Sequence, residues 1–438
     1  MFKARKLNVL GMAAAAVLIL VLAQTRALAG DAEAIPVGTK ITIENWRQYK
    51  QFMSDGMVAL FEGKYAFKMP NDVEIDVGAP IHVVRPSTFR EATEKYSGQV
   101  RVVHLPNGHN DVANYVAGEP FPDPRGPDKG YEILADAWYG YGPHLGVGMR
   151  GDDLWKLWLI DRFGNYNEAK WAFVYRQLAF NTDPGVPRTE PLAAGAFASQ
   201  WIMIEEPEEA KYTADLDILP QNNQEPETNY VFVPALRRSL RISVNARCAP
   251  LLGTDWTHDD QKPGFNGGLA IFDADFLREQ KVLALVSMTA ADASFPANYD
   301  MPLAFAKPSW GPWSLRSTWV INVHRIPSMA AGYCYGKRTI YIDKETAVGM
   351  ADEEYDTTGK LWKISIVGYH PRQVPGTDGE TLFGRFFAAT WDIQNEHVSL
   401  GYNNDSSGRY AIFNSEVPKE YDNVARYSTA AGLMQIMQ

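Results

Sequence analysis

Two hydrophobic periods follow one another along the chain, and the change falls near Leu154. Upstream, ENWRQYKQFMSDGMVALFEG (Glu44 to Gly63) places Trp46, Tyr49, Phe52 and Met53 on one helical stripe that Gly56 interrupts. PSTFREATEKYSG predicts a second short helix, with Pro86 near its start and Gly98 after its end. GEPFPDPRGPDKG, from Gly118 to Gly130, holds too much Pro and Gly for either regular state and reads as a linker or surface strap. From Leu154 onward the period becomes two. LWKLWLIDRF sets Trp155, Leu157 and Leu159 on one face, GNYN turns the chain, and KWAFVYRQLAF returns. QWIMIEE, TADLDIL, NYVFVP, STWVINVH, RTIYID and KLWKISIV continue the pattern. In the last, Trp362, Ile364 and Ile366 alternate with Lys363 and Ser365, which predicts one buried and one solvated face. Helical segments between strands are too few for a parallel sheet of strand-helix-strand units. The prediction is a mainly β (α+β) chain: one large, curved antiparallel meander with covering helices. About 410 residues would by default suggest two domains. The composition offers no clean cut, so residues 30–438 read as a single domain, in which 30–130 are a helical and strap-like N-terminal part.

The N-terminus changes the setting. Lys3, Arg5 and Lys6 precede an apolar run from Val9 to Leu22 and a small-residue site at Ala27-Leu28-Ala29, the pattern of a secretory signal peptide over residues 1–29. The run is shorter than the roughly 20 apolar residues that span a bilayer, so no stable membrane insertion is expected. Export to the periplasm is the compartment this predicts. Removing the segment takes Lys3, Arg5, Lys6 and Arg26 away and moves the formal charge from -10 to -14. An acidic body is poorly suited to nucleic acid. Cys248 and Cys334 remain in an oxidising compartment, where pairing is allowed but not fixed by spacing.

Motifs for chemistry are sparse. GVGMRG (Gly146 to Gly151) matches a dinucleotide fingerprint formally, but it follows YGYGPHL and leads into Asp152-Asp153, so a loop is expected. No phosphate-binding loop, nucleophile elbow or H-E-x-x-H occurs. GTDWTHDDQ gathers Asp255, His258, Asp259 and Asp260, a weak metal set that lacks calcium-loop spacing; no metal and no cofactor is expected. No catalytic residue is assigned, and the chain is read as a non-enzyme. A hydrolase needs only two carboxylates roughly 5–9 Å apart in space, which leaves no mark in sequence and stands as the lesser alternative.

Hydrophobic surface is abundant. Trp155, Leu157, Leu159, Trp171, Trp319, Ile321, Trp362 and Ile364 sit in strand-like runs and are candidates to line an apolar cavity as well as to fill a sheet core. A cavity that accepted sixteen methylenes would gain about 13 kcal/mol before association costs. YVFVPALRRSLRIS sets arginines into such a run: Pro234 ends the first strand, SLRIS begins the next, and alternation turns Arg241 outward and Arg238 inward. Arg238 is then either a buried partner of Asp255, Asp259 or Asp260, or a contact for an anionic headgroup.

NYVFVPALRRSLRIS, GTDWTHDD, STWVINVH, YGKRTIYIDKETAVGMADEEYDTTGKLWKI, NYVAGEPFPDP and IDRFGNYNEAKW resemble an uncharacterised family of exported bacterial proteins, domain of unknown function 1329 (DUF1329). The likeness runs from about Glu44 to the C-terminal tail. It implies the fold of the lipoprotein carriers LolA and LolB, an incomplete antiparallel barrel whose helices cover an apolar cavity. It further implies a binding or carrier role for a lipid or other hydrophobic molecule, with an envelope transporter or outer-membrane protein as partner. A cargo-free accessory scaffold of such a transporter is the alternative role.

Overall fold

A computed structural model of the chain describes residues 34–149, 154–243, 247–262, 264–288, 295–382, 386–403 and 412–437. The signal segment 1–29 lies outside them. The dominant element is a 15-stranded sheet. Its main path uses β1 (Trp155–Asp161), β2 (Tyr166–Gln177), β3 (Ala196–Glu206), β4 (Ala214–Pro220), β5 (Thr228–Val233) and β6 (Arg238–Ile242). It continues with β7 (Phe272–Ala284), β8 (Ser314–Arg325), β9 (Tyr335–Asp343), β10 (Gly349–Asp356), β11 (Leu361–Gly368), β12 (Phe386–Asp392) and β13 (His397–Asn403).

The spatial order is β6, β5, β4, β3, β2, β1, β13, β12, β11, β10, β9, β8, β7. Every neighbour but one is the next strand in sequence; the exception joins the first and last strands, with His397 opposite Asp161. The fold is two antiparallel meanders zipped together at β1 and β13, and the sheet is not closed into a barrel. One consequence sets up the site. β6 and β7 are consecutive in sequence yet stand at opposite ends of the path, so the chain between Ile242 and Phe272 must cross a face of the sheet.

Each predicted strand is present. At the β1–β2 turn Asp161 Oδ1 accepts the backbone N–H of Phe163 and Asn165 at 2.8 and 2.9 Å, while Gly164 takes φ +87°. Pro234 ends β5 as expected and Arg237 adopts φ +48° before β6. Leu145–Gly148, expected to be a loop, is a short strand beside β2, with Gly146 close enough to the Phe413 ring that a Cβ would lie 3.2 Å from it.

The expected helix from Glu44 to Gly63 is two pieces. A 3-10 turn covers Trp46–Phe52, Met53 is extended, and Ser54 restarts the chain as α1 (Asp55–Glu62) by accepting the Met57 N–H at 3.1 Å. Gly56 is required there: a Cβ would lie 2.5 Å from Ile364 Cγ2. α2 (Ser87–Tyr96) matches its prediction, and α3 (Lys129–Trp138) follows the Pro-rich strap.

Both faces of the sheet are covered, which corrects the expectation of a solvated side at Lys363 and Ser365; they are 1% and 8% exposed. One face buries Trp158, Ile160, Ile364, Ile366 and Trp391 against Met57, Leu60 and Phe61. Each such aliphatic or aromatic side chain contributes about 1.5–3 kcal/mol on burial. The other face carries the crossing segment. Cys248 of that segment is disulfide-bonded to Cys334, next to β9.

Candidate functional site

The crossing segment is fastened strand by strand. Asp255 N–H donates to Ser399 Oγ of β13 at 2.8 Å, and the Trp256 indole N–H donates to Thr390 Oγ1 of β12 at 2.8 Å. Asp260 accepts from Lys363 of β11 at 3.2 Å, and from Arg338 and Tyr335 of β9 at 3.1 and 2.9 Å. Near the other edge, Gln200 of β3 donates to Asn266 at 3.0 Å. A segment tied at its polar atoms leaves space where its side chains do not reach the sheet.

That space is a cavity of about 250 Å³ between the sheet, the crossing segment and the turn after α3. Its apolar wall includes Trp155, Trp171, Phe173, Ile202, Trp256 and Val367. Trp155 and Trp171 are a direct cross-strand pair with ring centroids 6.5 Å apart, and Trp256 packs on Trp155 at 5.8 Å. Such pairs add to burial by about 0.5–1.5 kcal/mol.

One end of the wall is polar, with Asp260, Lys262, Asp352 and Glu354. Asp352 and Glu354 alternate on β10 and so share its face. Burial pushes both carboxyls up, Glu354 well above the usual range, where Asp352 beside it adds to the effect. Burial works the same way on Asp260, but Lys363 and Arg338 outweigh it and hold that carboxyl at about 2. Lys262 donates to the carbonyls of Ala137 and Trp138 at 3.1 and 3.0 Å, and burial lowers its ammonium to about 8. Among the described residues, neither Glu354 Oε2 nor the Trp171 indole N–H meets a hydrogen-bond partner.

The sequence candidates are scattered relative to this cavity. Trp155 and Trp171 line it. Leu157 is buried beside them without reaching the space, and Leu159 is half-buried. Trp319, Ile321 and Trp362 belong to a separate cluster around α3, and Ile364 faces α1 on the other side of the sheet. Arg238 is exposed on β6, an edge strand, opposite Val233. This corrects the inward placement: an edge strand has no second layer over Arg238, so the expected alternation of burial does not apply. The buried arginines of this region are Arg247, paired with Glu227 and Asp259, and Arg338.

The weak metal set is likewise drawn apart. Asp255 turns to Ser399, Asp259 to Arg247 and Tyr333, and Asp260 to Lys363 and Arg338. His258 alone turns to β4, where its Nδ1 lies 3.5 Å from Asp217 and 3.7 Å from Asp215. Burial would lower this imidazole, and the two carboxylates outweigh it, raising it to about 9. Sequence reasoning missed Trp256 and the Asp352/Glu354 pair. The signal for Trp256 was an indole set in a charged turn.

The DUF1329 family model, described as a protein of unknown function, matches residues 40–431. Among curated proteins no sequence matches the chain. Solved structures similar to it include an outer membrane lipoprotein-sorting protein domain from Vibrio parahaemolyticus, at 14% identity and TM-score 0.45, covering 67% of this chain and 96% of that one. A DUF1329 family protein from Desulfovibrio piger aligns at 12% identity and TM-score 0.46 over 69% and 100% of the two chains. A LolA superfamily protein from Nitrosomonas europaea aligns at 13% identity and TM-score 0.34 over 66% and 94%.

Proposed function

Since the chain belongs to the DUF1329 family, whose function is unknown, we propose its role from the site itself: it is a periplasmic binding protein that shelters an apolar molecule between the sheet and the crossing segment. The observation that carries this reading is the indole-lined cavity of about 250 Å³, left unfilled inside an otherwise packed face. Its size of about 250 Å³ falls just below the roughly 300–1,000 Å³ typical of small-molecule pockets, which suits a compact apolar guest or part of a chain. The partly unsatisfied polar end supplies orientation. Glu354 Oε2 and the Trp171 N–H offer hydrogen bonds to a guest that carries one polar group on an apolar body.

Asp352 and Glu354 stand side by side on one face of one strand, whereas carboxylates that hydrolyse a glycosidic bond flank it from opposite sides. Binding is favoured over glycoside hydrolysis on that ground. Carriage and exchange with a membrane partner extend the same reading.

Native mass spectrometry of the protein released gently from the periplasm tests it. A co-purified apolar ligand, lost in a Glu354→Leu, Trp171→Phe double variant that still folds, is the expected result. A persistently empty protein that retains an envelope transporter would overturn the reading in favour of a scaffold.

A further inference from the structure

Four polar side chains converge on a single nitrogen away from the apolar wall. His258 Nδ1 lies 3.2 Å from the Gln261 amide nitrogen, 3.3 Å from that of Asn229, 3.5 Å from Asp217 Oδ2 and 3.7 Å from Asp215 Oδ2. One proton on Nδ1 cannot serve four neighbours. The crowding leaves other atoms without partners: among the described residues, Asp215 Oδ1, Asn229 Oδ1 and Gln261 Oε1 accept no hydrogen bond. Asp215 is 2% exposed, so leaving its Oδ1 without a partner is costly as it stands.

We infer that Asp215, Asp217 and His258 bind one divalent transition-metal cation, with the amide oxygen of Gln261 adding to its shell and Asn229 orienting Asp217. The side-chain donors of the first three lie within 4.8 Å of one another. Exchanging the amide nitrogen and oxygen of Gln261, which are interchangeable by rotation, turns its unpartnered oxygen toward the same centre, while the Asn229 amide nitrogen stays as donor to Asp217 and orients that carboxylate. One imidazole with oxygen donors suits Zn²⁺ or Mn²⁺ better than Ca²⁺. The two carboxylates match the cation's charge, and the neighbouring Arg247 is already balanced by Glu227 and Asp259.

The fold prepares this shell from two sides. Asp215 and Asp217 alternate on β4 and share a face, and Asn229 of β5 is the direct cross-strand partner of Asp217. His258 and Gln261 come from the 3-10 turn of the crossing segment, which Thr257 and Asp260 fix by a reciprocal capping box. The cation therefore pins the crossing segment to β4. Gln261 also lines the apolar cavity, so the pin forms part of the cavity's frame.

The test is calorimetric titration of chelator-treated, disulfide-intact protein with Zn²⁺ and with Mn²⁺, paired with melting curves. One equivalent should bind to the wild type and raise Tm by several degrees, and chelator should reverse the rise. His258→Gln and Asp215→Asn should each abolish that equivalent. Because either variant can lose its fold, the absorption spectrum of Co²⁺-loaded wild type gives a second readout: a nitrogen and oxygen set of four or five ligands should replace the hexa-aquo spectrum. Absence of stoichiometric binding, with Tm indifferent to metal and chelator, would leave His258 as an ion-paired imidazolium only and overturn the inference. Binding that survives in folded Asp215→Asn and His258→Gln would also overturn it, by placing the metal elsewhere.

Discussion

Gly401 of β13 lies under the Trp155 indole so closely that a Cβ there would come within 2.5 Å of Trp155 Nε1. The same Cβ would meet Trp256 at 2.8 Å. A hydrogen in place of a side chain at this one position lets two indoles lie against the sheet and shape the cavity floor.

Gly401→Ala should therefore drive Trp155 and Trp256 into the cavity. Overpacking of this kind costs about 1–3 kcal/mol. Denaturant unfolding should register that loss, and uptake of an apolar probe should weaken at least tenfold. Unchanged stability with unchanged uptake would mean the indoles are not confined as described.

Trp256 is held in place by its bond to Thr390. Thr390→Val keeps the shape and removes the acceptor, leaving a buried N–H unsatisfied at about 1–3 kcal/mol. A red shift in tryptophan emission should accompany the loss as the crossing segment loosens, and both are measurable in one unfolding series.

Glu353 faces away from the cavity, toward α1, where it accepts the Gly56 N–H at 2.6 Å. Burial, with Asp55 and Asp352 nearby, pushes its carboxyl up from 4.5 to about 8. Between those values the folded state keeps a proton that the unfolded state has released, so this group favours folding at the acid end and the benefit is lost as pH rises toward 8. Tm should be higher at pH 5 than at pH 8, and Glu353→Gln should reduce the difference. Asp260, held at about 2, and Lys262, lowered to about 8 from 10.5, titrate below and above that window.

β10 also shows where the sequence stopped being readable. GMADEEYD carries three adjacent acids, which ordinarily mark a solvated loop, yet Asp352, Glu353 and Glu354 are 4%, 0% and 1% exposed in mid-sheet. Their burial depends on partners far along the chain: Gly56 for one face, and the neighbourhood of Arg338 and Lys363 for the other. No local pattern encodes that. β7, FDADFLREQKVLA, was missed for a related reason, since its charged middle is half-exposed at the sheet edge. Hairpins such as β1–β2 were legible because turn chemistry and alternation are both local. Trp155 and Trp171 were identified by that same local alternation. Trp256 was not, because only the crossing between opposite sheet edges brings it to the cavity.

The disulfide ties the crossing segment to the chain entering β9 and closes a loop of 86 residues. Replacing both Cys248 and Cys334 with Ser should lower stability by roughly 2–4 kcal/mol, through greater freedom of the unfolded chain. Chemical denaturation of the double variant beside the oxidised wild type gives the value directly.

The central claim is that an apolar guest occupies the space bounded by Trp155, Trp171 and Trp256. A chain amphiphile brominated along its tail quenches indoles only on contact, so titrating it against the wild type below its micelle concentration reads occupancy at this wall. The account predicts saturable, one-to-one quenching that an unbrominated analogue reverses by competition. Linear, non-saturating quenching, equal to that of free tryptophan in solution, would contradict it.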